Sequence, residues 1–359
     1  MTGGRTPRPT IFDVAGRSGV SKSTVSNVIR GAPNVSPATR SRVLAAVEEL
    51  GYRPNALARH LVQQRTSTIG VVVGDLSNPF YSELVKLLEG HALELGYTTM
   101  VSNTDGHPEL EAARIEALLE RRVAGIVMLQ FSGDRSAVDE LLADGVALTV
   151  ISFVDERVDC VSTDETHGVG VAVRHLAELG HRRVAYVTSS LVEERTDRAR
   201  HESFRSECRQ AGCDETARLT LDVAGVLSGA PGATDEVARR LAESGATGFA
   251  AANDIAAIAL IEAVERLGAA VPRDLSVVGF DGIALGALSR IGLTTVAQPR
   301  PRLAELGIRL LMERIENGPG APPRQVLLEP HLVVRATTAA PPQQPWTAAK
   351  GRSTDSTKE

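Results

Sequence analysis

The chain has 359 residues, 43% of them hydrophobic and 23% charged, the make-up of a globular protein too long for one ordinary core. No run of about 18 apolar residues exists, which excludes a transmembrane helix, and the opening MTGGRTPRPTIFDV lacks the apolar stretch of a secretory signal, so a cytoplasmic location is expected. The net charge of −5 hides an asymmetry: residues 1–66 carry ten Lys/Arg against three acids, net +7, while the remainder carries 29 against 41, net −12. A basic head on an acidic body is the distribution expected when only the head meets a polyanion. Three cysteines (Cys160, Cys208, Cys213) are too few for a disulfide framework, and no second Cys/His pair completes a metal site, so reduced thiols and no bound metal are expected.

After a short arm (residues 1–9) expected to be disordered, the pattern predicts a helix over Ile11 to Ser18, with Ile11, Val14 and Ala15 on one face. Gly19 supplies a left-handed turn, Val20 faces the core, and Ser21 caps the next helix. That helix runs from Lys22 to Arg30 with Val25, Val28 and Ile29 inward, completing a helix-turn-helix. Ser36 caps a third helix with Pro37 in its first turn, a stripe of Val43, Leu44, Val47 and Leu50, and Gly51 at its close. Lys22, Ser23 and Asn27 share the exposed side of the second helix, where a Lys donor suits guanine and an Asn suits adenine. Ser21 and Arg30 flank them and complete the expected DNA-binding face.

Beyond Pro54, Asn55 can cap a single short helix, Ala56 to Val62, too short to be stable in water without something packed on it. Here TIFDVAGRSGVSKSTVSNVIRG and VSPATRSRVLAAVEELGYRPNALARHL closely resemble the lactose-repressor (LacI/GalR) family of bacterial transcription regulators, without a gap. The resemblance implies that Lys22, Ser23 and Asn27 face bases, and that Leu61 is the hinge leucine wedged into a central minor-groove step, with Ala58 and Arg59 beside it. Such a wedge unstacks one base step at a cost that wider contact offsets. Asn27 stands where many members have Arg. The implied partner is a palindromic DNA operator bound by a homodimer.

From Thr68 the period changes. TIGVVV, TTMVSN, AGIVML and LTVISF read as strands alternating with helices over Tyr81–Leu95, Pro108–Arg121 and a stretch through Leu141-Leu142. A second series follows: helix Gly168–Leu179, strand RVAYVTS, helix Arg198–Ala211, strand GFAAA, helix Asp254–Leu267 and strand LSVVGF. Arg302–Ile315 is an amphipathic helix, and RQVLLEP with HLVVRATT is expected to form a closing pair of strands. Alternation of this kind predicts parallel sheets covered on both faces. The expected architecture is an all-α helix-turn-helix head (10–54), a hinge and linker (55–67), and an α/β two-lobed body (68–338) with doubly wound sheets, its lobes divided near residues 153–164.

The body (ADGVALTV, RHLAELGHRRVAYV, AANDIAAIAL, DLSVVGFDG, LTTVAQP) also resembles the family, which implies a periplasmic-binding-protein-like fold with a small-molecule effector in its cleft. Ligands in such folds meet the C-terminal ends of strands. Asn78 and Phe80 lie in the loop after the first strand, Asn253 and Asp254 follow GFAAA, and Asp281 ends LSVVGFD. Arg200 holds the position of the family's ligand arginine. The effector-binding set is thus Asn78, Phe80, Arg200, Asn253 and Asp281: a cation, a carboxylate, amides and a ring suited to a carbohydrate. Asn253 and Asp254 are equally good helix caps. Ser152 stands where many relatives place an aspartate that meets the ligand, which keeps nucleosides, sugar phosphates and other metabolites open.

The Pro-, Ser- and Thr-rich segment 339–359 has no periodicity and is expected to be disordered. No long leucine heptad precedes it, so a dimer rather than a coiled-coil tetramer is expected. An enzyme is the first competing reading, but no GxSxG, GxxxxGK[ST], HExxH or strand-following GxGxxG is present, and no cofactor is implied. A solute-binding transport protein would share the body but would need an export signal and no helix-turn-helix. The sign of control, inducer or corepressor, is not encoded in any motif.

Overall fold

A computed structural model describes residues 9–29, 35–52, 66–130, 136–189, 194–318, 320–344 and 346. The chain divides into two units, 1–67 and 68–359, and each is described by itself.

The head consists of α1 (Ile11–Ser18), α2 (Lys22–Ile29) and α3 (Pro37–Glu49). Thr10 and Asp13 form a reciprocal capping box at the start of α1, and Gly19 leaves it at φ 66°, a conformation that costs a residue without a Cβ nothing. Ser36 caps α3 by accepting from the Thr39 N–H. Val14, Val25, Val28, Val43 and Ala46 make the core, one small apolar cluster shared by three helices. Leu44 is not in the stripe predicted for α3: it is 50% exposed, and Ala46 takes the inward position instead. Arg30, Asn55, Ala58, Arg59 and Leu61 lie outside the described residues, as does the arm before residue 9.

The body contains two six-stranded sheets. The first is built from β1 (Thr68–Val73), β2 (Thr98–Asn103), β3 (Gly125–Met128), β4 (Ala147–Ile151), β5 (Asp159–Thr163) and β11 (Gln325–Leu328), in the order β2-β1-β3-β4-β5-β11. Its helices are α4 (Pro79–Glu94), α5 (Pro108–Glu120), α6 (Ser136–Ala143) and, from far along the chain, α12 (Arg300–Asn317). The second is built from β6 (Arg183–Ser189), β7 (Asp214–Leu221), β8 (Gly248–Ala251), β9 (Ser276–Asp281), β10 (Thr294–Ala297) and β12 (His331–Val333), ordered β7-β6-β8-β9-β10-β12. It carries α7 (Glu165–Glu178), α8 (Glu194–Ala211), α9 (Val223–Ser228), α10 (Ala233–Ser244) and α11 (Asp254–Arg266).

Two-residue periodicity divides each strand between two cores. Ile69, Val71 and Val73 face α4 and α12, while Val72, Ile126 and Met128 face α5 and α6. In the second sheet Ala185 and Val187 pack toward α11, and Val184 and Tyr186 toward α7 and α8. Burial on both faces is why these strands read as continuous apolar runs.

Three sequence expectations need correction. β11 and β12 are not a closing pair: β11 runs parallel to β5 in the first sheet and β12 antiparallel to β10 in the second. The chain therefore changes sheets at 163–165, at 297–300 and at 328–331, and the lobes interleave instead of dividing once near 153–164. The tail does not leave the body at 339. Ala339 accepts from Ser276 Oγ (3.1 Å) and His181 Nε2 (3.0 Å), its N–H donates back to Ser276 Oγ (3.0 Å), and Trp346 packs on the second lobe's core. Among the described residues no helix is long and apolar enough to cross a membrane.

Candidate functional sites

In the head, the Ser21 hydroxyl accepts from the Thr24 N–H at 3.1 Å, fixing the start of α2. Lys22 and Ser23 are exposed at that start and Asn27, half-buried, lies one turn on. Phe12 on α1, 66% exposed, sits under the Lys22 ammonium, 5.2 Å from Nζ to the ring centroid. Arg17 and Glu49 tie α1 to α3 at 2.8 Å on the exposed surface, a contact worth about 0–1 kcal/mol. A short, polar-faced second helix held by a three-helix core is what major-groove reading requires.

In the body, the five residues singled out by sequence all line one cavity of about 430 Å³ between the two sheets. Strand C-termini build it. Asn78 and Phe80 follow β1, Gln130 follows β3, Ser152 and Phe153 follow β4, Asp164 follows β5, Asn253 follows β8, and Asp281 ends β9. Asn78 is also the cap of α4, accepting from the Phe80 N–H at 3.0 Å. Asn253 likewise caps α11, accepting from Ala256 N–H at 2.8 Å. In both, the amide oxygen serves the helix and the NH₂ group is the part a ligand can use. Asp254 is not in the lining. Its carboxyl accepts from Ile283 N–H (2.8 Å) and Thr295 Oγ1 (2.5 Å), anchoring the segment behind Asp281.

Arg200 is buried with its guanidinium over the Phe280 ring, 4.3 Å to the centroid. Its Nη1 donates to the Ala252 carbonyl at 2.5 Å and its Nη2 to Glu165 Oε1 at 2.8 Å. Burial works against its charge, and Glu165 with Asp281 more than offset that. Its Nε and the Ser152 hydroxyl are both buried without a partner. An unmet buried donor costs about 1–3 kcal/mol, so each is an unused binding group in the lining of the cleft.

Asp281 is buried at φ 131° and accepts from Gln298 Nε2 at 2.7 Å. Gln298 in turn accepts from Thr163 Oγ1 of the first sheet at 2.7 Å, so a hydrogen-bonded relay joins the lobes across the cavity. Burial raises the Asp281 carboxyl, Arg200 opposes that, and Asp254 adds to it. Ser152, at φ 76°, is the other non-glycine lining residue in positive φ; strained backbone of this kind concentrates at binding sites. Behind Asp281, Arg300 Nη1 donates to the Asp281 carbonyl (2.7 Å) and Nη2 to that of Gly282 (2.6 Å). The same guanidinium pairs with Glu83 of α4 at 3.1 Å, and Glu83 accepts from the Ala284 N–H at 3.0 Å. Sequence reasoning missed Gln130, Glu165, Gln298 and Arg300. For Gln298 the signal lies in LTTVAQP, a polar residue directly after a short apolar strand.

Among the described residues no group of His, Cys, Asp and Glu is arranged to hold a metal ion. Residues 10–55 match the model of bacterial regulatory proteins of the lacI family, and residues 173–338 match that of a periplasmic binding protein-like domain. The HTH-type transcriptional regulator DegA of Bacillus subtilis is 32% identical over 339 residues, 92% of this chain and 98% of that protein. A crystal structure of the lac repressor dimer bound to operator and the anti-inducer ONPF is similar with a TM-score of 0.81 at 27% identity, over 93% of this chain and 100% of that one. The transcriptional regulator CelR in complex with cellobiose is similar at 29% identity and a TM-score of 0.65, over 92% of this chain and 100% of that one. With a helix-turn-helix head, a doubly wound two-sheet body and this likeness along nearly its whole length, the chain belongs to the lacI family of bacterial transcriptional regulators.

Proposed function

We propose that the protein is a dimeric repressor of a palindromic operator, controlled by a neutral carbohydrate bound between the two sheets. The carrying observation is convergence: Asn78, Phe80, Arg200, Asn253 and Asp281, spread over 204 positions from first to last in the sequence, line one cavity. That cavity holds two unmet buried donors, Arg200 Nε and Ser152 Oγ. The lac repressor bound to operator as a dimer and CelR bound to cellobiose support the same division of labour here.

The charges in the lining favour a neutral ligand. Asp164 and Glu165, beside an Asp281 carboxyl that burial keeps above the ordinary carboxylate range, face a single cation, Arg200, which already pairs with Glu165. A phosphate brought within about 4 Å of an unpaired carboxylate meets a repulsion of about 4 kcal/mol at an effective dielectric of 20. Sugar hydroxyls instead donate to carboxylates and accept from Arg200 Nε, Ser152 Oγ and the amide NH₂ groups. Apolar C–H faces fit against Phe80.

In the head, Lys22, Ser23 and Asn27 read base edges, with Ser21 and Arg30 at the flanks of their helix. Asn55, Ala58, Arg59 and Leu61 form the hinge that enters the minor groove. Ligand binding favours one arrangement of the lobes, and operator affinity changes by the ligand's differential affinity for the two arrangements. Selection of bound sites from random duplex DNA, with and without a sugar panel, tests this reading. A palindrome lost on adding one sugar is expected; a sugar that saturates the cavity and leaves operator affinity unchanged overturns it.

A further inference from the structure

The core of the head does not explain Phe12. Its ring is 66% exposed and takes no part in the cluster of Val14, Val25, Val28, Val43 and Ala46. A lone exposed aromatic needs no explanation, but this one has a partner. The Lys22 ammonium stands 5.2 Å from the ring centroid, within the range of cation–π attraction. Both residues sit on pinned backbone. Asp13 Oδ2 accepts from the Thr10 N–H and hydroxyl, each at 2.7 Å, and so fixes the turn of α1 that carries Phe12. Ser21 accepts from the Thr24 N–H at 3.1 Å and fixes the first turn of α2, which Lys22 opens. Val14 and Val25 join the two helices beneath them. The ring is therefore a fixed platform beside a flexible four-carbon stem.

We propose that Phe12 is a positioning residue for base reading: its ring holds the Lys22 ammonium at one spot of the reading face and so sharpens which base Lys22 selects. This rests on the reading of the head as a major-groove binder. An untethered lysine ammonium is a mobile point charge that serves a phosphate as well as a base, and a phosphate contact carries no sequence information. Tethering to the ring narrows that choice and favours the paired acceptors O6 and N7 of a guanine. Ser23 already shares its hydroxyl with Ser21 Oγ at 2.7 Å, and Lys22 is the charged residue of α2, so discrimination at this end of the helix falls to the lysine. Docking on the duplex excludes water from the pair and strengthens its attraction. The determinant of specificity then extends from α2 to α1.

The test is selection of bound sites from random duplex DNA by full-length wild type, Phe12→Leu, Phe12→Tyr, Lys22→Met and the double variant Phe12→Leu/Lys22→Met. Operator Kd is then measured on the recovered site and its single-base variants, and melting temperature checks that these exposed-site variants fold. The position read by Lys22 is the one whose base preference vanishes in Lys22→Met. Phe12→Leu is expected to lower the preference there about two- to fivefold, while Phe12→Tyr retains it. In the Lys22→Met background, Phe12→Leu is expected to change nothing further. A loss in Phe12→Leu that is equal on every sequence, or of the same size with and without Lys22, overturns the positioning role and leaves the operator reading standing. So does a Lys22→Met variant that keeps every base preference. A wild type that enriches no sequence overturns both.

Discussion

Above its raised titration point, about 8, Asp281 is a carboxylate, and replacing it by Asn removes a charge and almost nothing else. The amide has the carboxylate's shape, and its oxygen can keep the bond from Gln298 Nε2, now 2.7 Å long. A hydrogen bond to a charged group contributes about 1.5–3 kcal/mol and one between neutral groups about 0.5–1.5. The loss on exchanging carboxylate for amide is thus about 1–1.5 kcal/mol, or roughly tenfold in the Kd for a sugar that the cavity accepts. Stability moves the opposite way. Burial holds the Asp281 carboxyl above the ordinary carboxylate range, Arg200 pulls it down, and Asp254 pushes it up again. The folded state therefore binds this proton more tightly than the unfolded chain does. Its contribution to stability is present at low pH and is lost as pH rises through the raised value. Asp281→Asn lacks that dependence, so its melting temperature should gain on the wild type's between about pH 5 and about pH 8. Calorimetric titration at about pH 9, where the carboxyl is ionised, and thermal melts across this range are the assays. Unchanged sugar affinity in Asp281→Asn, with melting curves that keep their wild-type spacing at every pH, refutes the reasoning.

Three further outcomes follow from other parts of the molecule. Arg300→Met removes the guanidinium shared by Glu83 and the carbonyls of Asp281 and Gly282. It should cost about 2 kcal/mol of stability and blunt the operator response to saturating ligand; a melting temperature and response equal to wild type would show that this contact does not link the lobes. Leu61→Ala should weaken operator binding at least about tenfold and reduce bending in a circular-permutation gel assay, with sugar affinity of the body unchanged; equal damage to both activities would contradict the division between head and body. The three thiols should be inert in the native protein at neutral pH, because burial pushes Cys160 up to about 11 and Cys208 up to about 12 and raises Cys213 as well. Rapid reaction with a chromogenic disulfide before unfolding would contradict that.

The local elements were readable because their signals are local. Gly19, Ser21 and Ser36 mark helix ends with side chains or backbone that act within four residues, and the buried parallel strands announce themselves as apolar runs. Asn78, Asn253 and Asp281 could be singled out because a strand's C-terminal end is found without knowing the sheet order. Arg200 came from the resemblance, since nothing in LVEERTDRAR by itself says which arginine turns inward. The rest was hidden by distance. Thr163 and Gln298, 135 positions apart, meet only because the chain changes sheets three times. β11 and β12 were misread because adjacent strands usually pair, and no local pattern distinguishes a hairpin from two strands parted to separate sheets. β5, DCVST, is short, and β7, DETARLTL, carries alternating polar residues at the sheet edge, so neither stands out from a loop. The ordered contacts of Ala339 depend on His181 and Ser276, and composition alone made that segment look like the start of a free tail.

The most direct measurement is operator affinity of the full-length protein, on the palindrome recovered from random duplex DNA, before and after saturation with whichever sugar of the panel binds the cavity. The account predicts at least about a tenfold change in operator Kd, abolished in Arg200→Met, whose head is intact. A sugar that saturates the cavity while operator Kd stays constant would contradict it.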